Sequence, residues 1–218
     1  MLNQLVGASA VITARQFNPS VMSQLWLVRQ GLIAEDQMLP NFVFTDLFVQ
    51  VRTEKFALLV VPEQFQFFPQ VEKSEEQELI QQKVGRIVRN LPHTPFKAVG
   101  LNFTWHVTPQ SEEVAMPQLS RRLFFQNKNP LYEFFNEENA MFGAYLSKDF
   151  RECRLKLDIK PQHSIETPVQ ILQLAFNFHV DLRQNEELVT QIETILSRWN
   201  DASTEAERIV QALRGVSE

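Results

Sequence analysis

Two segments of this chain alternate polar and apolar side chains with a period of two: Leu101-Asn102-Phe103-Thr104-Trp105-His106-Val107 and Phe176-Asn177-Phe178-His179-Val180-Asp181-Leu182. That is the period of a β-strand, whose successive side chains point to opposite faces. Asn102, Thr104 and His106 therefore share one face of the first strand, and Asn177, His179 and Asp181 share one face of the second. Phe, Trp, Val and Leu occupy the opposite faces. Strands with one polar and one apolar face belong in a mainly antiparallel sheet, with helices packed on the apolar side. An α+β fold is expected.

The other elements follow from local signals. A strand is expected over 8–16. Asn18-Pro19 reads as the cap and first residue of a helix with the stripe Val21, Leu25 and Val28, and Gly31 as its C-terminal stop. Strands are expected at 42–52 and 56–62 around Thr53-Glu54-Lys55, with a further short strand at Phe65–Phe68. Ser74 and Gln77 form a capping-box pattern ahead of the helical stripe Ile80, Val84, Ile87 and Leu91, which Pro92 ends. With strand 97–108, the N-terminal half reads βαββαβ, the order of a ferredoxin-like fold.

Two short helices opening at prolines (117–125 and 130–136) come next. A hairpin of strands 140–147 and 151–160 then turns at Lys148-Asp149-Phe150, and a long strand covers 168–182. A single domain over 1–218 is expected, with a division into 1–110 and 111–218 as the alternative.

The C-terminal segment has the cleanest periodicity. Leu188, Ile192, Ile195, Trp199, Ala202, Ala206, Ile209 and Leu213 alternate in steps of four and three, a seven-residue repeat. Val189, Leu196 and Val210 widen the stripe. One helix from 185 to 214 would be about 45 Å long, while Asn200-Asp201-Ala202-Ser203 could cap a second helix instead. Ile192 and Trp199 lie at the centre of the stripe, which packs on the chain's own sheet or forms a seam with another chain.

The order strand, strand, helix, then Gly100-Leu101-Asn102-Phe103 opening a strand, and finally a long C-terminal helix resembles a sporadically distributed bacterial family of uncharacterised proteins. The resemblance covers 42–108 and 168–214. Leu101-Asn102-Phe103 departs from the Arg-Tyr-x-Asn pattern of that family's strand. The resemblance implies no chemistry, and no residue role follows from it.

Composition narrows the function classes. The net charge of −5 argues against general phosphate binding, so nucleic acid is not an expected partner. Acids concentrate at 35–78, nine against three bases, and at 181–218, eight against four; 121–160 is slightly basic. The lone Cys153 excludes an internal disulfide and fits a reducing compartment. No basic residue precedes Arg15, and no apolar run approaches the roughly 20 residues of a membrane span. A soluble cytoplasmic protein is expected. Eighteen Phe against two Tyr put apolar area without hydrogen-bonding groups mostly in the core, or in an exposed docking patch.

Catalytic signatures are sparse. The glycines are too scattered for a phosphate loop, and no His-Glu-x-x-His, Cys-x-x-Cys or Gly-x-Ser-x-Gly occurs. Asp158-Ile159-Lys160 needs a second acid to share a metal: Asp149 is about 30 Å away along an extended strand, and Glu138 could come opposite across the hairpin but nothing selects it. Cys153, with Arg151 and Arg154 nearby, reads as a small strand residue. His106, His179 and Asp181 are the metal or acid–base candidates. Asn102, Thr104 and Asn177 are the polar ligand-binding candidates. Their plain alternative is the solvated face of a sheet.

Between 119 and 135, Arg121, Arg122 and Lys128 interleave with Phe124, Phe125, Tyr132, Phe134 and Phe135; buried, this composition makes two short amphipathic helices closing the core, and exposed, it suits a protein or nucleic-acid contact. The leading expectation is thus a non-enzymatic interaction protein: an adaptor, regulator or subunit of a larger prokaryotic assembly, bound to another protein or to itself. The second is a small enzyme or a ligand- or metal-binding protein using the polar sheet face. No cofactor is implied.

Overall fold

The computed structural model describes residues 2–108, 115–126, 129–163, 170–184 and 187–213. Lys128, the strand start at 168–169 and the helix ends at 185–186 and 214 lie outside them. The fold is α+β. The strands are β1 (Leu2–Ala14), β2 (Val43–Phe44), β3 (Val49–Arg52), β4 (Phe56–Val61), β5 (Gln64–Pro69), β6 (Phe96–Thr108), β7 (Ala144–Phe150), β8 (Cys153–His163) and β9 (Gln170–Asp181). The helices are α1 (Gln24–Arg29), α2 (Lys73–Arg89), α3 (Met116–Phe124), α4 (Leu188–Leu196) and α5 (Trp199–Ala212). The described strands form an antiparallel nine-stranded sheet in the order β2-β3-β4-β5-β1-β6-β9-β8-β7.

This sheet replaces the expected ferredoxin-like half. The Phe-rich piece is a full strand, β5, paired with β4 and β1. β3 to β5 are joined by short turns, which connect antiparallel neighbours only. Thr53, itself buried, closes the first turn: its hydroxyl accepts from the Lys55 and Phe56 amides and donates to the Phe56 carbonyl. A meander of this length produces a large open sheet rather than a compact split βαβ.

Other local expectations shift in register. Asn18 caps only a 3-10 turn, Pro19–Val21, and Ser23 then caps α1 by accepting from the Trp26 amide. The new start resets the helical phase. Met22 and Leu27 are buried instead, while Val21 and Leu25 are exposed. The helix does end at Gly31, whose φ of 62° suits glycine. The Gly31 amide bonds the Val28 carbonyl, the Leu32 amide bonds the Leu27 carbonyl, and the buried Leu27 and Leu32 complete a Schellman stop.

α2 begins one residue before Ser74, which then lies within the first turn, and the side chain of the N-cap residue Glu72 makes no capping bond. The β7–β8 turn is Arg151-Glu152, not Lys148–Phe150: Phe150 pairs with Cys153, and Arg151 takes the left-handed conformation (φ 52°) that the tight turn requires. The C-terminal stripe is not one helix. It breaks at Ser197-Arg198, before the expected cap, where the Arg198 amide bonds only three residues back, to Ile195. The stripe continues across the break: Ile192, Ile195, Trp199, Ala202 and Ala206 are all buried within the chain.

The chain forms two compact units. One comprises Met1–Gly7, Phe103–Asn177 and Thr204–Glu218, the other Ala8–Asn102 and Phe178–Ser203. The second unit is cored by Ile12, Val51, Leu58, Val60, Phe65, Phe67, Ile80, Val84, Phe178 and Trp199. Phe56 stacks on Phe67 at 4.9 Å, and Phe17 meets Phe96 edge-on at 5.9 Å. The first unit is cored by Phe103, Leu119, Phe142, Leu155, Leu157, Leu172, Phe176 and Val210. Nine of the eighteen phenylalanines (17, 56, 65, 67, 96, 103, 142, 176 and 178) are buried, so the core accounts for only half of the excess.

Candidate functional site

β6 and β9 keep most of the alternation read from the sequence: Leu101, Phe103, Val107, Phe176 and Phe178 are buried, but Trp105 and Val180 are partly exposed, as are Asn102, Thr104, His106, Asn177 and His179. His106 belongs to the first unit, and His179 and Asp181 to the second. His179 Nε2 lies 3.1 Å from Asp181 Oδ1, as expected for residues two apart on one face. Asp181 is 89% exposed, so this is a solvated pair. Among the described residues no three His, Cys, Asp or Glu side chains are placed to hold a metal ion. Asp158 pairs with Lys160 along β8, and Cys153 is buried. Arg154 bonds Asp149 and Ser147 at 2.9 and 2.7 Å, and the Arg151 guanidinium lies over Phe150.

The Arg/aromatic segment divides into an anchored half and an exposed half. Phe125 stacks on Tyr132 at 5.0 Å, and both meet Phe142 edge-on at 5.5 and 5.3 Å. The Arg121 guanidinium lies 5.0 Å from the centres of both the Phe125 and Phe142 rings. It also donates to the carbonyls of Phe135 and Glu137 at 3.3 and 2.9 Å. Ser120, buried in α3, accepts from the Phe142 amide, and Tyr132 donates to the Phe124 carbonyl. Arg121, Phe125 and Tyr132 are therefore committed to the fold, and Phe124 is half-buried with them.

The other side of the same 3-10 turn, Pro130–Phe134, faces solvent. Leu131, Phe134 and Phe135 are 64%, 77% and 55% exposed. Arg122 is exposed as well. Three residues beyond Phe142, the terminal strand β7 carries Tyr145 and Leu146, 64% and 54% exposed. A two-faced exposed strand has no hydrophobic period, so the sequence pattern did not single out these two residues.

The second unit holds a pocket of about 370 Å³ between the segment 36–39, the β3–β4 turn and α2. Its lining includes Phe56, Leu39, Leu79, Lys55 and Lys83, with Asp36 and Glu54. None of these stood out in the sequence, because three separate segments supply them. Comparison of the chain with protein-family models, curated proteins and solved structures finds no match.

Proposed function

We propose that the protein is a non-enzymatic interaction module, an adaptor, regulator or assembly subunit that contacts another protein or a second copy of itself through the 131–146 region. The supporting observation is the exposure of Leu131, Phe134 and Phe135 beside an anchored aromatic cluster. Exposed large aromatics cost solubility and are over-represented at the centres of interfaces. The turn that carries them is held by the Phe125–Tyr132–Phe142 contacts, so presenting them involves little ordering on binding. Tyr145 and Leu146 on the terminal strand extend the apolar character, and the outer edge of β7 offers backbone groups to an added strand.

The stripe of the C-terminal helices is a weaker interface candidate. Ile192 and Trp199 are wholly buried in the chain and have no surface left for a partner. Light scattering on the purified protein, compared with a Leu131→Ser/Phe134→Ser/Phe135→Ser variant, tests the self-association form. A dimer that the variant abolishes supports it. Equal molar masses for the two proteins would limit the proposal to a different partner protein.

A further inference from the structure

The pocket of the second unit has the shape and charge of a ligand site independent of the aromatic surface. We propose that it binds a small organic anion, a carboxylate or phosphate monoester attached to an apolar or aromatic body. Phe56, buried and stacked on Phe67, supplies a fixed aromatic wall, and Leu39 and Leu79 add apolar surface. A volume of about 370 Å³ lies at the small end of ligand pockets.

The charged end is Lys83. Its Nζ sits 6.0 Å from the centre of the Phe56 ring and donates to the Leu32 carbonyl at 2.7 Å and, at 3.5 Å, to the Gly31 carbonyl. An ammonium has three donors, so these bonds fix the group and leave one donor for a ligand. Arg86 donates to the Gln30 carbonyl at 3.1 Å, which holds a second cation on the same face of α2. Lys55 lines the pocket from the β3–β4 turn.

Neither Lys83 nor Lys55 makes an ion pair with a carboxylate among the described residues. Asp36 and Glu54 line the exposed mouth of the pocket and offset Lys55 there, so the anion end is the partly buried Lys83 beside the Phe56 ring. Burial, followed by the positive charges of Arg86 and Lys55, holds the Lys83 ammonium below its ordinary value. An anion docked against it would reverse the repulsion and replace lost solvent. A cation or a neutral apolar molecule would not.

The test uses phenyl phosphate, inorganic phosphate and benzylamine as probes of the full-length protein, by titration calorimetry and backbone amide NMR. Phenyl phosphate should bind and perturb amides at 53–56 and 79–83. Inorganic phosphate should bind at least about tenfold more weakly and benzylamine not measurably, since only phenyl phosphate satisfies both ends of the pocket. Lys83→Met should weaken phenyl phosphate about tenfold or more, the usual size of a lost hydrogen bond to a charged group. Lys55→Gln, at an exposed side chain, keeps the test valid if Lys83→Met does not fold, and should weaken binding several-fold. No binding of phenyl phosphate at 10 mM overturns the proposal. So does equal affinity for inorganic phosphate, unchanged affinity in Lys55→Gln, or amide shifts confined to other surfaces.

Discussion

Trp199 Nε1 donates a 2.8 Å hydrogen bond to Glu76 Oε2, and both residues are buried. The bond joins the start of α5 to the first turns of α2, and the Asn200 amide adds a second link to Gln77 Oε1. Burial raises the Glu76 carboxyl above its ordinary value, against the opposing effects of the Trp199 bond and of Lys73. A carboxyl raised on folding binds its proton more readily in the native state. Stability from this group is therefore greatest at low pH and declines as pH rises through the native value.

Glu76→Gln keeps an acceptor for the indole and removes the buried charge. We expect it to match or exceed the wild-type melting temperature at neutral pH and to flatten the decline with rising pH. Glu76→Leu should instead cost about 1–3 kcal/mol by orphaning the indole N–H. Melting curves of the three proteins across the pH range check both expectations.

Ile192 tests the C-terminal stripe. Ile192→Ala should cost about 2–5 kcal/mol through lost burial and a residual cavity. Glu193→Ala should cost no more than about 1 kcal/mol, because the partly exposed Glu193 pairs with the exposed Arg89. Since Ile192 is buried within the chain, the loss should be independent of protein concentration. Melting each variant at two concentrations tests both claims.

Glu205 provides a titration of opposite sign. The Arg208 guanidinium bonds it at 2.8 and 2.9 Å and Lys148 at 2.7 Å, which, despite partial burial, lowers its carboxyl to about 2. The stability it confers is complete above the ordinary value of 4.5 and is lost as pH falls toward about 2. Glu205→Gln should cost about 1 kcal/mol at neutral pH, since both cations are largely exposed. The gap in melting temperature from wild type should close on acidification; a gap that widens would contradict the assignment.

Gly143 and Gly7 form a controlled pair. A Cβ at Gly143 would overlap the Ile159 carbonyl, a backbone group that cannot rotate away. At Gly7 the nearest atom is the Thr104 Cβ at 3.9 Å, ordinary contact. Gly143→Ala should destabilise the protein by about 1–3 kcal/mol, and Gly7→Ala should be neutral or slightly stabilising. Chemical denaturation of the two variants checks the contrast.

What the sequence revealed follows from the range of the forces involved. β6 and β9 were legible because one face of each is buried and the other wet, which writes a period of two. The stripe from Ile192 to Ala206 was legible for the same reason at the helical period, but the break at Ser197-Arg198 was not, because the stripe continues through it. Gly31 announced its turn through the one backbone conformation that favours glycine. The turn at Arg151 was obscured because a non-glycine residue occupies that conformation. The pairings of β1 with β5 and β6, and of β6 with β9, join distant segments, which no local pattern records. The pocket around Lys83 was hidden for the same reason. In the Arg121–Phe135 segment, composition showed an aromatic-rich stretch but not which rings Arg121 and Phe142 hold inside and which face solvent.

The central claim is that Leu131, Phe134 and Phe135 form a contact surface. The most direct test is affinity purification of the tagged full-length protein from its native host, comparing wild type with Leu131→Ser/Phe134→Ser/Phe135→Ser by quantitative mass spectrometry. Melting curves first establish that the variant folds, as expected for residues that are mostly exposed. The account predicts a stoichiometric companion, another protein or a second copy, that is retained by wild type and lost by the variant. An identical companion set for both proteins, or a wild-type monomer without any companion, would contradict it.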